Sequence, residues 1–174
     1  MKILIFGNII FTKEIIKTII KDKKNKVCLV TKKKSFNSDH ADFANLSNRI
    51  ILHYSSYNIK KSLFLKINNF NPDIVLALGW SHLLPEKVLN ISKINIGYHP
   101  SNLRHFRGKH PLIWPIILNQ NCIHSTFFQL DKKIDHGKIL DEKKIYFKKN
   151  EYMKTIYNRI LSASKKQVIK LIKK

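Results

Sequence analysis

The segment that decides the fold is Ile74-Val75-Leu76-Ala77-Leu78-Gly79. It is apolar at every position before the glycine and shows no alternation, which is typical of a strand buried on both faces. Similar short apolar runs occur at residues 2–6, 27–31, 50–54 and 94–99. Segments with the helical spacing of apolar residues separate several of them. This order predicts an α/β fold, a single Rossmann-like domain whose mostly parallel central sheet carries helices on both faces.

The remaining elements follow from the same periodicities. We expect a helix around residues 15–20, a helix over 63–70, a short helix beginning at 84–86, a helix over 111–120 kinked at Pro115, a strand over 125–130, a hairpin arm or late strand over 137–147, and an amphipathic helix over 152–173. Because no linker or repeat interrupts them, we expect one domain over residues 1–174.

The charge balance is strongly basic, with 33 Lys+Arg against 11 Asp+Glu and a net charge of +22. Only four of the basic residues are arginines, although arginine suits base and phosphate recognition best. Abundant Lys, Ile and Asn indicate compositional drift, so a nucleic-acid partner is not favoured. A small anionic ligand would still be attracted by this field.

The number of cysteines and the length of the apolar segments indicate where in the cell the protein is expected. Cys28 and Cys122 lack the C-x-x-C spacing of a zinc site, and two cysteines do not make a disulfide scaffold. No apolar run approaches the roughly 18 residues that a membrane span needs. We therefore expect a cytoplasmic protein without a membrane segment.

The titratable residues concentrate in one part of the chain. Six of the eight histidines fall between His82 and His136. Ligands of open α/β sheets bind beyond the carboxyl ends of the strands. Because His82, His99 and Asp135 each follow or end a predicted strand, we expect them to converge there.

Several other interpretations of these residues are available. Spacing alone is also consistent with His99 as a satisfied core histidine and Asp135 as a turn residue. A metal site at His99, His105 and His110 is not supported, because no pair has ligand spacing. Ser101 lacks the Gly-x-Ser-x-Gly elbow of an acyl-serine enzyme. The turn after the first strand lacks the G-x-G-x-x-G spacing of a dinucleotide site.

Five segments together carry a family resemblance. They are Gly79-Trp80-Ser81-His82-Leu83-Leu84-Pro85, His99-Pro100-Ser101-Asn102-Leu103-Arg104-His105-Phe106-Arg107-Gly108, His110-Pro111-Leu112-Ile113-Trp114, Ser125-Thr126, and Leu130-Asp131-Lys132-Lys133-Ile134-Asp135-His136-Gly137. They resemble the formyltransferase superfamily that uses 10-formyltetrahydrofolate. Its motifs are Asn-x-His-Pro-Ser-Leu-Leu-Pro-x-x-Arg-Gly and, some 35 residues later, Asp-x-Gly.

The resemblance implies a formyltransferase fold, 10-formyltetrahydrofolate as cosubstrate, and no metal. It makes His99 the catalytic histidine and Asp135 the catalytic aspartate. The implied folate contacts are Trp80, Ser81, His82, Leu83, Leu84, Leu130, Ile134, His136 and Gly137. The implied contacts to the second substrate are Arg107, Gly108, Lys109 and His110.

The sequence departs from the motif at two positions. Gly97 stands where the family has its catalytic Asn, and Arg104 stands where it has Pro. Either another donor, such as Asn102, replaces the amide, or activity is reduced or absent. A non-catalytic folate-binding homologue is therefore one alternative function.

The amine acceptor is the remaining question. Acceptors in this superfamily include methionyl-tRNA, glycinamide ribonucleotide and activated amino sugars. The chain stops at Lys174, so we expect no C-terminal tRNA-binding domain. The segment 107–114 is similar to sugar-directed members, which favours an anionic, nucleotide-linked or otherwise activated amino sugar. The alternatives are glycinamide ribonucleotide, another small amine, or an RNA-binding role without folate.

Overall fold

The protein was studied as a computed structural model, which describes residues 1–33, 40–55, 58–108, 110–131 and 135–173. Its strands are β1 (Lys2–Phe6), β2 (Lys26–Thr31), β3 (Ile50–Tyr54), β4 (Ile74–Leu78), β5 (Ile94–His99), β6 (Cys122–Gln129) and β7 (Ile139–Tyr146). Its helices are α1 (Ile10–Ile19), α2 (Lys61–Phe70), α3 (Glu86–Leu89), α4 (Ile113–Ile117) and α5 (Met153–Ile172), with a 3-10 turn at Ala44–Leu46.

The strands form one seven-stranded sheet in the order β3-β2-β1-β4-β5-β6-β7. β1 pairs in parallel with β2 and β4, and β2 pairs in parallel with β3. β6 and β7 form an antiparallel pair with a register shift between Phe127 and Phe128. The predicted α/β class with a mostly parallel sheet is confirmed.

The chain divides into two compact units, residues 1–96 and 97–174. The prediction of a single domain over 1–174 stays a prediction. In the first unit, α1 buries one face formed by Phe11, Ile15, Ile16 and Ile19. Thr12 on the same face donates its hydroxyl hydrogen to the carbonyl oxygen of Leu78. This bond satisfies a buried hydroxyl and attaches α1 to the end of β4.

The second unit is organised around a buried polar cluster between its strands and α5. The Ser125 Oγ lies 2.9 Å from the Ser164 Oγ and donates to the Gln167 Oε1 at 2.6 Å. The Ser164 hydroxyl lies 3.0 Å from the Tyr98 hydroxyl oxygen. Burial raises the pKa of Tyr98 to about 12. The cluster fixes α5 against β5 and β6, because each polar group is satisfied inside the fold.

The helix expected around residues 15–20 begins earlier, at Ile10. Two further predicted elements differ from the structure. The helix expected over 111–120 is only α4, because Asn119 adopts a left-handed backbone with φ of 51° that ends it. Pro115 sits in the first turn, where helical N–H groups have no partner, so no kink is required. β6 begins at Cys122 rather than at residue 125, since Cys122 pairs with Tyr146 across the sheet. Among the described residues, no helix is long and apolar enough to cross a membrane.

Candidate active site

His99 is the last residue of β5 and is half-buried. Its Nε2 is buried and has no hydrogen-bond partner among the described residues. Burial lowers the pKa of His99. The negative charge of Asp135 raises the same pKa and so partly offsets the effect of burial. An orphaned buried ring nitrogen costs free energy. His99 is therefore not a fully satisfied core histidine, and its free nitrogen suits a ligand atom.

Asp135 lies in the turn between β6 and β7 and is half-buried. Its φ is 52°, a left-handed conformation that Asp and Asn tolerate better than most residues. Two residues on, a Cβ at Gly137 would lie 1.6 Å from the carbonyl oxygen of Gln129, so only glycine fits there. The turn thus requires glycine two residues after Asp135, and the charge of Asp135 raises the pKa of His99.

The loop after His99 is attached through Ser101. The buried Ser101 donates its hydroxyl hydrogen to the carbonyl oxygen of Phe106. Its own carbonyl oxygen accepts a hydrogen bond from the Thr126 hydroxyl at 2.7 Å. The Ser101 hydroxyl therefore has a structural role as a donor within the loop.

A carboxylate from β7 adds a second attachment for this loop. Glu142, which pairs with Thr126 across the strands, accepts a hydrogen bond from the Arg104 Nη1 at 3.2 Å. Its other oxygen lies 3.3 Å from the Nδ1 of the buried His124. The sequence motifs contain Thr126 without a predicted role in the site, and they do not include Glu142. The β6–β7 register that brings them together depends on which residues face each other, which a local pattern does not specify.

Arg107 joins the same loop to the turn that carries Asp135. Its Nε donates to the carbonyl oxygen of Leu103 at 2.9 Å, and its Nη1 lies 2.9 Å from the Nε2 of His136. Arginine carries only donors, so the His136 Nε2 is the acceptor in this contact. Arg107, predicted to bind the acceptor, and His136, predicted to contact folate, contact each other.

Packing fills the position of the family's amide. A Cβ at Gly97 would lie 2.6 Å from the Cζ of Phe128 and 2.8 Å from the Cδ2 of Leu130. Asn95 donates its amide hydrogens to the carbonyl oxygens of Leu89 and Ser92 and is engaged there. The Oδ1 of Asn102 accepts from the Arg104 backbone N–H. The atoms nearest to that Cβ position belong to Phe128 and Leu130.

The predicted folate loop after β4 lies in the first unit. The half-buried Trp80 meets the Phe6 ring edge-on at 5.6 Å, and the Lys32 Nζ lies 5.4 Å from the centre of the Trp80 ring. His82 stands edge-on to Trp80 at 6.4 Å. Ser81 and Leu83 are exposed, while Leu84 packs on the apolar core. Since His82 and the pair His99 and Asp135 belong to different units, their convergence stays a prediction.

A cavity of about 270 Å³ opens beside the loop of the second unit and is lined by His105, Phe106, Arg107, Pro111 and Trp114. Of the predicted acceptor contacts, Arg107 lines it. Gly108 and His110 are exposed nearby in sequence, with φ of 96° and 58°. Lys109 and the predicted folate contact Ile134 lie outside the described residues.

Metal ligation has no support in the part of the chain that the structure describes, where no group of three His, Cys, Asp or Glu residues is placed to hold an ion. The chemistry available at His99 is that of a hydrogen-bond donor or acceptor beside a carboxylate. Such a pair can stabilise a developing oxyanion and accept a proton without a covalent enzyme intermediate.

Comparison with known proteins gives one consistent result. A family profile described as "Formyl transferase" matches residues 1–172. A methionyl-tRNA formyltransferase from Wolbachia pipientis subsp. Culex pipiens is 32% identical over 108 residues, which are 62% of this chain and 36% of that protein. The chain thus spans about a third of the length of that curated relative.

Solved structures share the fold. Phosphoribosylglycinamide formyltransferase from Bacillus halodurans superposes with a TM-score of 0.79 at 18% identity, over 95% of this chain and 90% of that one. WlaRD, described as a sugar 3N-formyl transferase in the presence of dTDP and 5-N-formyl-THF, superposes with a TM-score of 0.72 at 17% identity. That match covers 99% of this chain and 62% of WlaRD.

Proposed function

This chain belongs to the formyl transferase family, and we propose that it transfers a formyl group from 10-formyltetrahydrofolate to a primary amine. The observation that carries the proposal is the buried, unpartnered Nε2 of His99 within the electrostatic influence of Asp135. A nitrogen left without a partner at the end of β5 is suited to the formyl oxygen of a bound substrate.

The proposed chemistry is acyl transfer through a tetrahedral intermediate. The amine nitrogen attacks the formyl carbon, the carbonyl oxygen becomes an anion, and the bond from that carbon to the folate nitrogen then breaks. His99, in the tautomer with a hydrogen on Nε2, donates to the oxyanion. Asp135 takes the proton that the amine loses, directly or through water, and returns it to the departing folate nitrogen.

His99 carries the oxyanion interaction without help from an amide at residue 97. Gly97 has no side-chain donor, and Phe128 and Leu130 occupy the adjacent space. The further donors that we propose in this loop are a backbone N–H aligned by substrate binding and the amide nitrogen of Asn102, since the amide nitrogen of Asn95 is engaged elsewhere. The proposed folate contacts are those that the resemblance implies, namely Trp80, Ser81, His82, Leu83, Leu84, Leu130, Ile134, His136 and Gly137.

For the acceptor we propose an anionic amino sugar, nucleotide-linked or otherwise activated. The net charge of +22 attracts anions, and the cavity at His105 and Arg107 combines cationic with aromatic lining residues. Relatives in this family are described as acting on methionyl-tRNA, on phosphoribosylglycinamide and on sugars. The experiment that tests the proposal therefore compares these three classes of acceptor.

The experiment incubates the purified protein with 10-formyltetrahydrofolate and, separately, with a nucleotide-linked amino sugar, glycinamide ribonucleotide or methionyl-tRNA. With the amino sugar, we expect tetrahydrofolate and a formylated amine as products. Formylation of one of the other two acceptors instead of the sugar would identify that compound as the acceptor and would overturn the amino-sugar proposal. No formylated product with any amine would contradict the proposed activity.

The filled position beside Gly97 favours one second candidate, a folate-binding homologue without transferase activity. A thermal shift with 5-formyltetrahydrofolate separates the two functions, because a ligand that binds the native state raises the melting temperature. A raised melting temperature without transfer to any of the acceptors supports the second candidate. A raised melting temperature with transfer supports the first.

A further inference from the structure

The loop after His99, residues 100–107, reaches the rest of the second unit through side chains. His99 itself has no described hydrogen bond at Nε2. The position of this ring depends on the backbone that leads into the loop. Anything that fixes this loop relative to the β6–β7 hairpin also fixes His99 relative to Asp135.

The first connection is the ion pair between Arg104 and Glu142, with 3.2 Å between the Arg104 Nη1 and the Glu142 Oε2. The Arg104 side chain is 62% exposed, but that of Glu142 is only 18% exposed. Exposed ion pairs contribute little when both partners move freely. Here Glu142 is fixed on β7 and lies against His124, so the arginine is held by a rigid partner.

The second connection runs through Arg107, which binds its own loop and the Asp135 turn at once. The bond to the Leu103 carbonyl oxygen orients the guanidinium, and the contact with the His136 Nε2 joins it to the residue after Asp135. Asp135 already has a restricted left-handed backbone. A contact at the adjacent residue therefore limits where its carboxylate can lie.

We propose that Arg104 and Arg107 form a double clamp that fastens the loop after His99 to the β6–β7 hairpin and so sets the position of His99 relative to Asp135. The clamp consists of the Arg104–Glu142 and Arg107–His136 contacts. The two arginines are positioning residues that act through other groups. The inference rests on the proposed function in so far as His99 and Asp135 are the reacting pair.

The test measures the pKa of His99 by NMR of its ring in the whole chain without substrate, with His99→Gln used to assign the signal. Asp135 raises this pKa, so Asp135→Asn should lower the pKa of His99. The size of that decrease is the reference for complete loss of the effect of Asp135. His136→Ala removes the acceptor for Arg107 and should give part of that shift. His136→Gln, whose amide oxygen still accepts a hydrogen bond, should give a smaller shift than His136→Ala.

Arg159→Ala is the matched control, because Arg159 also binds a carbonyl oxygen, that of Tyr146, and a second side chain, Glu151. It should lower the melting temperature without moving the pKa of His99. The first connection is tested by a double-mutant cycle of Arg104→Ala and Glu142→Gln, whose effects on this pKa should be less than additive.

Three results would overturn the clamp. One is a His99 pKa that is unchanged in His136→Ala while Asp135→Asn lowers it. The second is full additivity of Arg107→Ala and His136→Ala. The third is an Arg107→Ala variant that raises only the KM of the acceptor while the His99 pKa and kcat are unchanged, which would make Arg107 an acceptor contact with no positioning role. Failure of the wild-type protein to formylate any amine would instead contradict the proposed function, whatever the pKa of His99 does.

Discussion

Phe128 occupies the space that a side chain at Gly97 would need, since its Cζ lies 2.6 Å from the position of a Cβ there. Phe128 is buried on β6, where the β6–β7 register shifts. The missing amide of the family motif is therefore coupled to a packing partner on the neighbouring strand. The glycine cannot be replaced independently of that partner.

Replacing Gly97 by Asn should lower stability and leave the transfer rate no higher than that of the wild-type protein. The new side chain collides with Phe128 and Leu130, and overpacking of this kind costs about 1 to 3 kcal/mol. Thermal unfolding and initial transfer rates check both parts. Phe128→Leu combined with Gly97→Asn should recover part of the lost stability, and a faster single variant would show that space for a donor exists.

His99→Ala should reduce transfer by on the order of 10² to 10³, the usual effect of losing one oxyanion donor, with little change in melting temperature. The variant removes a ring nitrogen that has no described partner, so no internal hydrogen bond is lost. His53→Ala is the matched control, a half-buried histidine on β3 whose pKa is also lowered by burial. Equal rates for His99→Ala and the wild-type protein would refute the catalytic assignment.

Asp135→Asn should slow transfer by about 10² to 10⁴, the usual share of acid–base catalysis, while folate binding persists. Asparagine accepts the left-handed backbone at this position, so the turn itself is preserved. Asp135→Ala provides the structural comparison, because alanine strains the same backbone and should lower the melting temperature. If Asp135 serves only the turn, the Asn variant will be silent and the Ala variant will show the whole effect.

The depressed pKa of His99 predicts a pH dependence of stability. In the unfolded chain the imidazole titrates near 6.5, and burial lowers that pKa in the fold. The unfolded state thus binds the proton more readily, so this contribution to stability is complete above pH 6.5 and is lost as pH falls through the folded pKa. The stability difference between the wild-type protein and His99→Gln, measured by urea unfolding, should rise from pH 5 to pH 7. A flat difference would show that His99 is not desolvated.

The strands were predictable because their apolar runs are set by burial alone. Ile74 to Leu78 lies in the sheet interior and therefore shows no alternation. The place of His99 at the end of β5 followed directly from that pattern. The extent of β6 was underestimated because the polar His124, buried beside Glu142, interrupts the apolar pattern.

The parts of the site that the sequence did not reveal depend on pairing between distant segments. Glu142 reaches Arg104 and Thr126 only through the antiparallel register of β6 and β7. The Arg107–His136 contact likewise joins two loops that are 29 residues apart. The residue pattern within one segment does not specify which distant residues it will contact. It does specify a strand or a motif, because these depend only on residues close together in the sequence.

The proposed reaction is measured by transfer of a ¹³C-labelled formyl group from 10-formyltetrahydrofolate to a supplied amine, followed by NMR in the wild-type protein and in His99→Ala. We expect a labelled N-formyl product with a nucleotide-linked amino sugar in the wild-type protein and almost none in the variant. If the wild-type protein binds the folate yet leaves the label on it with all three acceptor classes, the chain is not the formyltransferase proposed above.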